Sequence, residues 1–202
     1  MTGYDSRDQQ LLINRALDDL IKAISETVIV NSPKLIELGG WVSSAFENGG
    51  KLLLCGNGGS AADSQHIAAE FINRFRLERN PLPAIALTTD TSVITSISND
   101  YGFNYVFSKQ IEALASPKDV VIGISTSGNS QNIIFAMDTA RIKGAKTVAF
   151  TGKGGGKMPA HADLVITVSS SDTPRIQEVH IFIGHLLCDI VEQEMFGGKR
   201  HG

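Results

Sequence analysis

A stretch of polar residues that could catalyse a reaction follows a glycine-rich turn in the first third of the chain. Asp63, His66, Glu70 and Arg74 recur at spacings of three and four residues. On a helix, this spacing places two acids, an imidazole and a guanidinium along one stripe. His66 and Glu70 lie one turn apart, so they can reach the same metal ion or substrate atom. A capped helix with a solvated polar face gives the same pattern, and the stripe alone does not decide between the two.

The turn before this helix has the features of an anion site. Residues 52–55 are apolar and predict a strand, residues 56–59 read Gly-Asn-Gly-Gly, and Ser60 is predicted to cap a helix that begins at Ala61. Backbone N–H groups in the first turn of a helix lack partners within it, and glycines let a phosphate come close. Such turns are common at strand ends, so this interpretation needs support from elsewhere in the chain.

A second polar loop, residues 125–130, follows the clearest strand of the sequence. It reads Ser-Thr-Ser-Gly-Asn-Ser and contains four hydroxyl groups ahead of a predicted helix over residues 131–143. Hydroxyls, backbone N–H groups and the positive end of a helix can converge on one phosphate. The GxxxxGK[ST] loop of nucleotide-binding proteins is absent, which favours a sugar phosphate. The alternative is a capping turn, but a cap needs only one or two hydroxyls.

The last predicted helix, residues 175–195, carries polar residues on a surface that is otherwise apolar. Gln177, His180 and His185 are flanked by isoleucine, valine and leucine, and buried polar groups need partners. Gln177 and His185 are separated by about 12 Å along the axis at ~1.5 Å per residue. To meet at one metal they must lean together, or one must come from a neighbouring subunit. A histidine satisfied within the core is the simpler interpretation for either histidine taken alone.

Composition indicates one compact domain that works inside the cell. The chain has 202 residues, of which 42% are hydrophobic and 19% charged. A net charge of -3 gives no basic surface for nucleic acid but allows a phosphorylated small molecule. Cys55 and Cys188 fall on apolar elements and are predicted to be reduced core thiols, which suits the cytoplasm. The sequence has no apolar run near the ~20 residues that span a bilayer, so no membrane contact is expected.

The order of elements predicts an α/β fold, a three-layer sandwich with a five-stranded parallel sheet flanked by helices. The strands are predicted at residues 52–55, 84–87, 119–124, 146–150 and 163–168. Two N-terminal helices, 5–27 and 32–47, precede them, with Ser32 and Pro33 starting the second. We expect one domain over 1–202: N-terminal helices in 1–50, an α/β core in 51–196 and a loose tail in 197–202. Ligands of such sheets bind beyond the carboxyl ends of the strands.

Four separated motifs together resemble the sugar isomerase (SIS) family, whose fold is flavodoxin-like. They are CGNGGSAADSQHIAAE, STSGNS, TGKGGGKM and RIQEVHIFIGH. Within that family the chain is similar to the bacterial phosphoheptose isomerases over nearly its whole length. The resemblance implies conversion of sedoheptulose 7-phosphate to D-glycero-D-manno-heptose 7-phosphate, the entry to ADP-heptose and lipopolysaccharide core. It also implies a zinc ion and a homotetramer with active sites at subunit interfaces.

The resemblance also implies roles for individual residues. Glu70 would be the base and His185 the acid of an enediol mechanism. The implied metal ligands are His66, Glu70, Gln177 and His185. The implied substrate-binding residues are Asn57, Gly58, Gly59, Ser60, Glu70, Asn99, Asp100, Ser125, Thr126, Ser127, Ser130 and Gln177. Pro174 departs from the pattern, because some relatives carry an acid there.

Two alternatives remain open on the same fold. A non-enzymatic regulator that binds the bacterial replication initiator DnaA is closely similar, but it resembles this chain with the catalytic glutamate and the final histidine replaced. Both Glu70 and His185 are kept here. A different sugar-phosphate isomerase would retain the loop at 125–130 but need not keep the two histidines and Gln177.

Overall fold

A computed structural model describes residues 5–198 of the chain. Its helices are α1 (Ser6–Glu47), α2 (Gly59–Ile72), α3 (Thr91–Tyr101), α4 (Ser108–Leu114), α5 (Gln131–Ile142) and α6 (Thr173–Phe196). Its strands are β1 (Leu52–Gly56), β2 (Ala84–Ala86), β3 (Val120–Ser125), β4 (Lys146–Thr151) and β5 (Leu164–Thr167). Two short 3-10 turns cover Phe103–Tyr105 and Met158–His161. The predicted tail falls mostly on residues 199–202, outside the described residues.

The five strands form one parallel sheet in the order β2-β1-β3-β4-β5, which confirms the predicted fold class. Leu54 of β1 pairs with Ile122 of β3, which in turn pairs with Val148 of β4. Every residue of β1 and β3 is buried, because helices cover both faces of a parallel sheet. One apolar cluster packs α1, α2 and α6 on one face, and a second packs α4 and α5 on the other. The loops after β1 and β3 therefore emerge at the same edge.

The prediction of two N-terminal helices is wrong, because α1 runs for 42 residues with Pro33 inside it. A proline removes one helical hydrogen bond and crowds the preceding turn, but contacts with the edge of the sheet hold this part of α1. The Asn31 amide bonds to the carbonyl oxygens of Thr27 and, at 3.2 Å, of Thr167. Lys34 Nζ donates to Val165 O at 2.9 Å. Tertiary contacts thus override the local break that the sequence indicates.

Helix ends differ from prediction at two positions that matter for the site. Helix α2 is capped by Gly58, with φ of 54°, and Ser60 lies buried inside its first turn, so the predicted Ser60 cap is wrong. Because α2 ends at Ile72, Arg74 lies beyond the helix and outside the predicted stripe. Asp90 caps α3 and accepts a hydrogen bond from Val93 N at 3.0 Å.

Two further sequence predictions can be compared with the described residues. Cys55 and Cys188 are both buried free thiols, and burial raises the pKa of each to about 12. Among the helices of residues 5–198, none has the length and apolar character that crossing a membrane requires.

Candidate active site

Helices α2 and α6 pack side by side and bring three of the predicted site residues together. His66 Nε2 lies 2.8 Å from His185 Nε2 and 3.4 Å from Glu70 Oε1. The close packing depends on Gly184, because a Cβ atom there would overlap the side chain of Ile67. We call His66, Glu70 and His185 the triad. Two residues from an early helix and one from the last helix therefore face one point.

The chemistry of the triad suits a divalent metal ion. One ligand atom from each residue lies within 4.8 Å of the other two. Two imidazole nitrogens and one carboxylate oxygen are ligands that zinc accepts, and three protein ligands leave a position for water or substrate. The side chains are half-buried, with 48% of His66 and 24% of Glu70 exposed. A metal ion bound here would remain accessible to a small molecule.

The environment of His185 favours its neutral form. Burial lowers the pKa of His185, and the nearby His66 and Arg76 lower it further, while Glu70 acts in the opposite direction. The Phe75 ring stacks on the imidazole, with centroids 5.4 Å apart and planes inclined by 23°. A neutral imidazole can donate a proton from one nitrogen and accept at the other. It is also the form that binds a metal ion.

Gln177 lies at the other end of the interface between α2 and α6. Its amide packs against the backbone of Gly59, at the start of α2, whereas the triad lies two turns further along. Gln177 and His185 are eight positions apart in α6, which accounts for this separation. The role of Gln177 as a fourth metal ligand therefore stays a prediction, and its position beside the glycine turn also suits contact with a substrate.

The glycine turn after β1 is fixed by a pair of amides. Asn57 Nδ2 donates to Asn132 Oδ1 at 3.0 Å, and Asn132 Nδ2 donates back to Asn57 Oδ1 at 2.9 Å. This reciprocal pair ties the turn to the start of α5. Gly58 adopts a left-handed φ of 54°, and its carbonyl oxygen accepts hydrogen bonds from Ala61 N and Ala62 N in the first turn of α2. The turn and the loop after β3 are thus held beside each other.

The hydroxyls of the loop at 125–130 bond to one another rather than capping α5. Ser125 Oγ lies 2.9 Å from Ser130 Oγ and 3.5 Å from Ser127 Oγ. Ser130 is the N-cap residue of α5, yet its side chain makes no capping hydrogen bond. Thr126 holds the loop through its carbonyl oxygen, which accepts from Gly152 N at 3.1 Å. The hydroxyl cluster therefore lies at the positive end of a helix, where an anion is stabilised.

Asn99 and Asp100 lie apart from the triad. Both are exposed on the last turn of α3, where Asn99 Nδ2 donates to Asp100 Oδ1 at 2.9 Å. The sequence predicts a turn at these residues, but the helix extends through them to Tyr101. Within residues 5–198 neither side chain hydrogen-bonds to the triad or to the hydroxyl loop. Their part in substrate binding stays a prediction.

Several residues around the site were missed by sequence reasoning. Asp63, noted only as part of the stripe, is buried with one carboxylate oxygen unpaired, and burial raises its pKa to about 6. His180 is a buried core histidine whose Nε2 lies 3.2 Å from Thr151 O, while its Nδ1 has no hydrogen-bond partner within residues 5–198. Asn132 and Phe75 gave no signal, because their partners are distant in the chain. The position of Asn132 in the first turn of the predicted helix, close to the hydroxyl-rich loop, is the one clue that could have drawn attention to it.

Comparison with known proteins agrees with this geometry. The model of the SIS domain family matches residues 14–152. A phosphoheptose isomerase from Roseiflexus sp. (strain RS-1) is 58% identical over 170 residues, covering 84% of this chain and 86% of that protein. The chain belongs to the phosphoheptose isomerase family. The resemblance of its sequence motifs is thereby confirmed.

Two solved structures of family members share the whole architecture. Phosphoheptose isomerase GmhA from Neisseria gonorrhoeae superposes with a TM-score of 0.86 at 41% identity, covering 92% of this chain and 99% of that one. A phosphoheptose isomerase from Francisella tularensis gives a TM-score of 0.86 at 40% identity, covering 94% and 100% of the two chains.

Proposed function

We propose that the protein isomerises D-sedoheptulose 7-phosphate to D-glycero-D-manno-heptose 7-phosphate through an enediol, the first step of ADP-heptose biosynthesis. The observation that carries this proposal is the convergence of His66, Glu70 and His185 in a chain whose relatives at 50–58% identity are phosphoheptose isomerases. Aldose-ketose conversion needs a carboxylate near two carbons and a group that exchanges protons with their oxygens. The triad contains both groups.

In this proposal Glu70 moves the proton between the carbons. It removes a proton from C1 of the ketose and returns one to C2, and His185 exchanges protons with the two oxygens. Since burial, His66 and Arg76 lower the pKa of His185, the neutral imidazole is favoured, and this form can donate or accept a proton. The carboxylate and the imidazole face the same point, so one bound sugar can reach both.

Zinc is the metal that we propose for the triad, one ion per subunit. His66, Glu70 and His185 supply the three convergent donors, and Gln177 would be the fourth ligand. Bound zinc supplies a Lewis acid that polarises the carbonyl and stabilises negative charge on an enediolate. A metal-bound carboxylate is a weaker base, so the two roles of Glu70 compete. The fit rests on the donor set, which combines nitrogen and oxygen atoms as zinc sites do.

The phosphate of the sugar is assigned to the loop at 125–130. Its clustered hydroxyls lie at the start of α5, and their hydrogen bonds to one another can be exchanged for bonds to phosphate oxygens. Asn57, Gly58, Gly59 and Ser60 would contact the sugar from the neighbouring turn. No charged side chain is required for this, because backbone N–H groups and the helix end favour the anion.

We further propose a homotetramer with active sites at the subunit interfaces, working in the cytoplasm. Apolar residues on α1 support assembly, because each is between 49% and 57% exposed: Leu11, Leu12, Ile13, Leu17 and Ile21. Asn99 and Asp100, exposed and apart from the triad, would then meet the sugar across an interface. The two buried free thiols suit a reducing compartment.

Turnover of the purified protein tests the proposal. Sedoheptulose 7-phosphate should be converted to the aldose, and a chelator should reduce the rate. Glu70→Gln and His185→Gln should each lower kcat by about 10²–10⁴-fold, while Glu78→Gln, at an exposed residue paired with Arg74, should not. A parent protein without turnover under every metal condition would instead favour a binding role. The DnaA-binding alternative is not favoured, since the comparisons match isomerases and the chain keeps both catalytic residues.

A further inference from the structure

The loop that follows α2 is tied to α6 by one buried carboxylate. Glu192 Oε1 accepts a hydrogen bond from Phe75 N at 2.8 Å, and Oε2 accepts from Arg76 N and Leu77 N at 2.8 and 2.9 Å. Arg79 Nε donates to Oε1 at 2.8 Å, and both side chains are completely buried. Burial raises the pKa of Glu192, but these donors outweigh it and hold the pKa below its usual value. The carboxylate is therefore ionised and fully hydrogen-bonded.

The same guanidinium fixes the end of α2 that carries Glu70. Arg79 Nη2 donates to the carbonyl oxygen of Glu70 at 2.9 Å, and Nη1 donates to that of Phe71 at 2.8 Å. Carbonyl groups in the last turn of a helix have no partner within it, and here a buried cation satisfies them. The pair of Glu192 and Arg79 thus joins the last turn of α2, the following loop and α6 into one unit.

This unit places the Phe75 ring against the triad. One face of Phe75 stacks on His185, with centroids 5.4 Å apart. The Arg76 guanidinium lies 5.4 Å from the centroid of the same ring, and Arg76 Nη1 pairs with Asp189 Oδ2 at 3.2 Å. With its face covered, the imidazole presents its Nε2 edge to His66, 2.8 Å away.

We propose that Phe75 is a positioning residue for His185, and that Glu192 holds it in place through the loop backbone. The inference deepens the proposed function and rests on it. Rotation of an imidazole about χ2 has broad energy wells, so the stacked ring selects the orientation in which Nε2 faces the triad. Groups that orient a metal-binding histidine typically contribute 10–100-fold to metal affinity or activity. In this role Phe75 acts through His185 and need contact neither the metal nor the substrate.

Zinc affinity of the purified chain, measured by competition with a chromogenic chelator, tests this role without substrate. Phe75→Leu keeps an apolar side chain but loses the stacked ring, and should weaken zinc binding about tenfold or more. Phe75→Tyr keeps the ring and should bind zinc as the parent does. With sedoheptulose 7-phosphate, Phe75→Leu should lower kcat at saturating zinc and leave KM nearly unchanged.

A matched control separates positioning from stability. Phe46 packs edge-on against Phe71 in the core, with centroids 5.6 Å apart, and Phe46→Leu should lower thermal stability without changing zinc affinity. Unchanged zinc affinity in Phe75→Leu, or an equal loss in Phe46→Leu, would overturn the inference while leaving the proposed function intact. If Phe75→Leu weakens zinc binding and Phe46→Leu does not, but the parent turns over no sedoheptulose 7-phosphate, the positioning role would be supported and the isomerase refuted. A parent that binds no zinc would overturn this inference and the zinc site, and turnover would still decide the proposed function.

Discussion

Replacing Glu192 by glutamine should destabilise the protein by about 3–5 kcal/mol. Each carboxylate oxygen of Glu192 accepts two hydrogen bonds, from Phe75 N and Arg79 Nε on one side and from Arg76 N and Leu77 N on the other. In whichever way a glutamine amide is turned, its NH₂ group faces two donors. Two charge-assisted bonds are lost at roughly 1.5–3 kcal/mol each, which agrees with the cost of breaking a buried ion pair.

Urea unfolding of Glu192→Gln, at a fixed protein concentration because assembly adds to stability, measures this loss. Glu194→Gln on the same helix is the control, since Glu194 is exposed and accepts one hydrogen bond from Ser43. It should cost less than about 1 kcal/mol. The variants should keep the parent's m-value, which would show that the extent of unfolding is unchanged.

The stability difference between the parent and Glu192→Gln should depend on pH with a definite sign. Because the pKa of Glu192 is lowered from 4.5 in the folded protein, its ionised form stabilises the fold fully above pH 4.5. That contribution disappears as pH falls through the folded pKa. The gap between the parent and Glu192→Gln should therefore be constant near pH 7 and close below pH 4.5. A loss under 1 kcal/mol at pH 7, or a gap that widens in acid, would refute the reasoning.

Three further perturbations test other parts of the structure. Burial lowers the pKa of His180 from 6.5 to about 4, so lowering the pH from 6.5 to 4 should destabilise the parent by up to roughly 3 kcal/mol. In denaturant titrations, His180→Leu should reduce this dependence of the unfolding free energy on pH. Gly184→Ala places a methyl group against Ile67, so it should weaken zinc binding and lower the free energy of unfolding by about 1–3 kcal/mol. Gly198→Ala lies in open space and should change neither zinc affinity nor the unfolding transition measured by calorimetry. Ser125→Ala should raise KM for the sugar phosphate about tenfold with little change in kcat, because it loses a hydrogen bond to an anion.

The sheet could be predicted from the sequence because its signal is local. Residues 120–124, for example, are apolar and β-branched except for Gly123, and each predicted strand agrees with the structure to within a few residues. Helix α1 could not be predicted whole, because the residues around Pro33 favour a break. The bond from Asn31 to Thr167 O spans 136 positions, and contacts of that range leave no pattern in a local window.

Only part of the candidate site had a local signal. His66 and Glu70 share a helix face, so their spacing alone predicts that they meet. His185 joins them only through the packing of α2 on α6, and its place in the site came from the family motif. Phe75 and Glu192 are 117 residues apart and are joined through the backbone of a loop. No side-chain pattern indicates such a contact in advance.

Proton exchange at the sugar carbons tests the central claim most directly, because it reports on Glu70 itself. When the parent protein converts sedoheptulose 7-phosphate in D₂O, NMR should show deuterium at C2 of the aldose and exchange at C1 of the ketose. Glu70→Gln should abolish both while retaining the parent's fold and thermal stability. Exchange that persists at the parent's rate in Glu70→Gln would contradict the account, because the proton would then be moved by a group outside the triad.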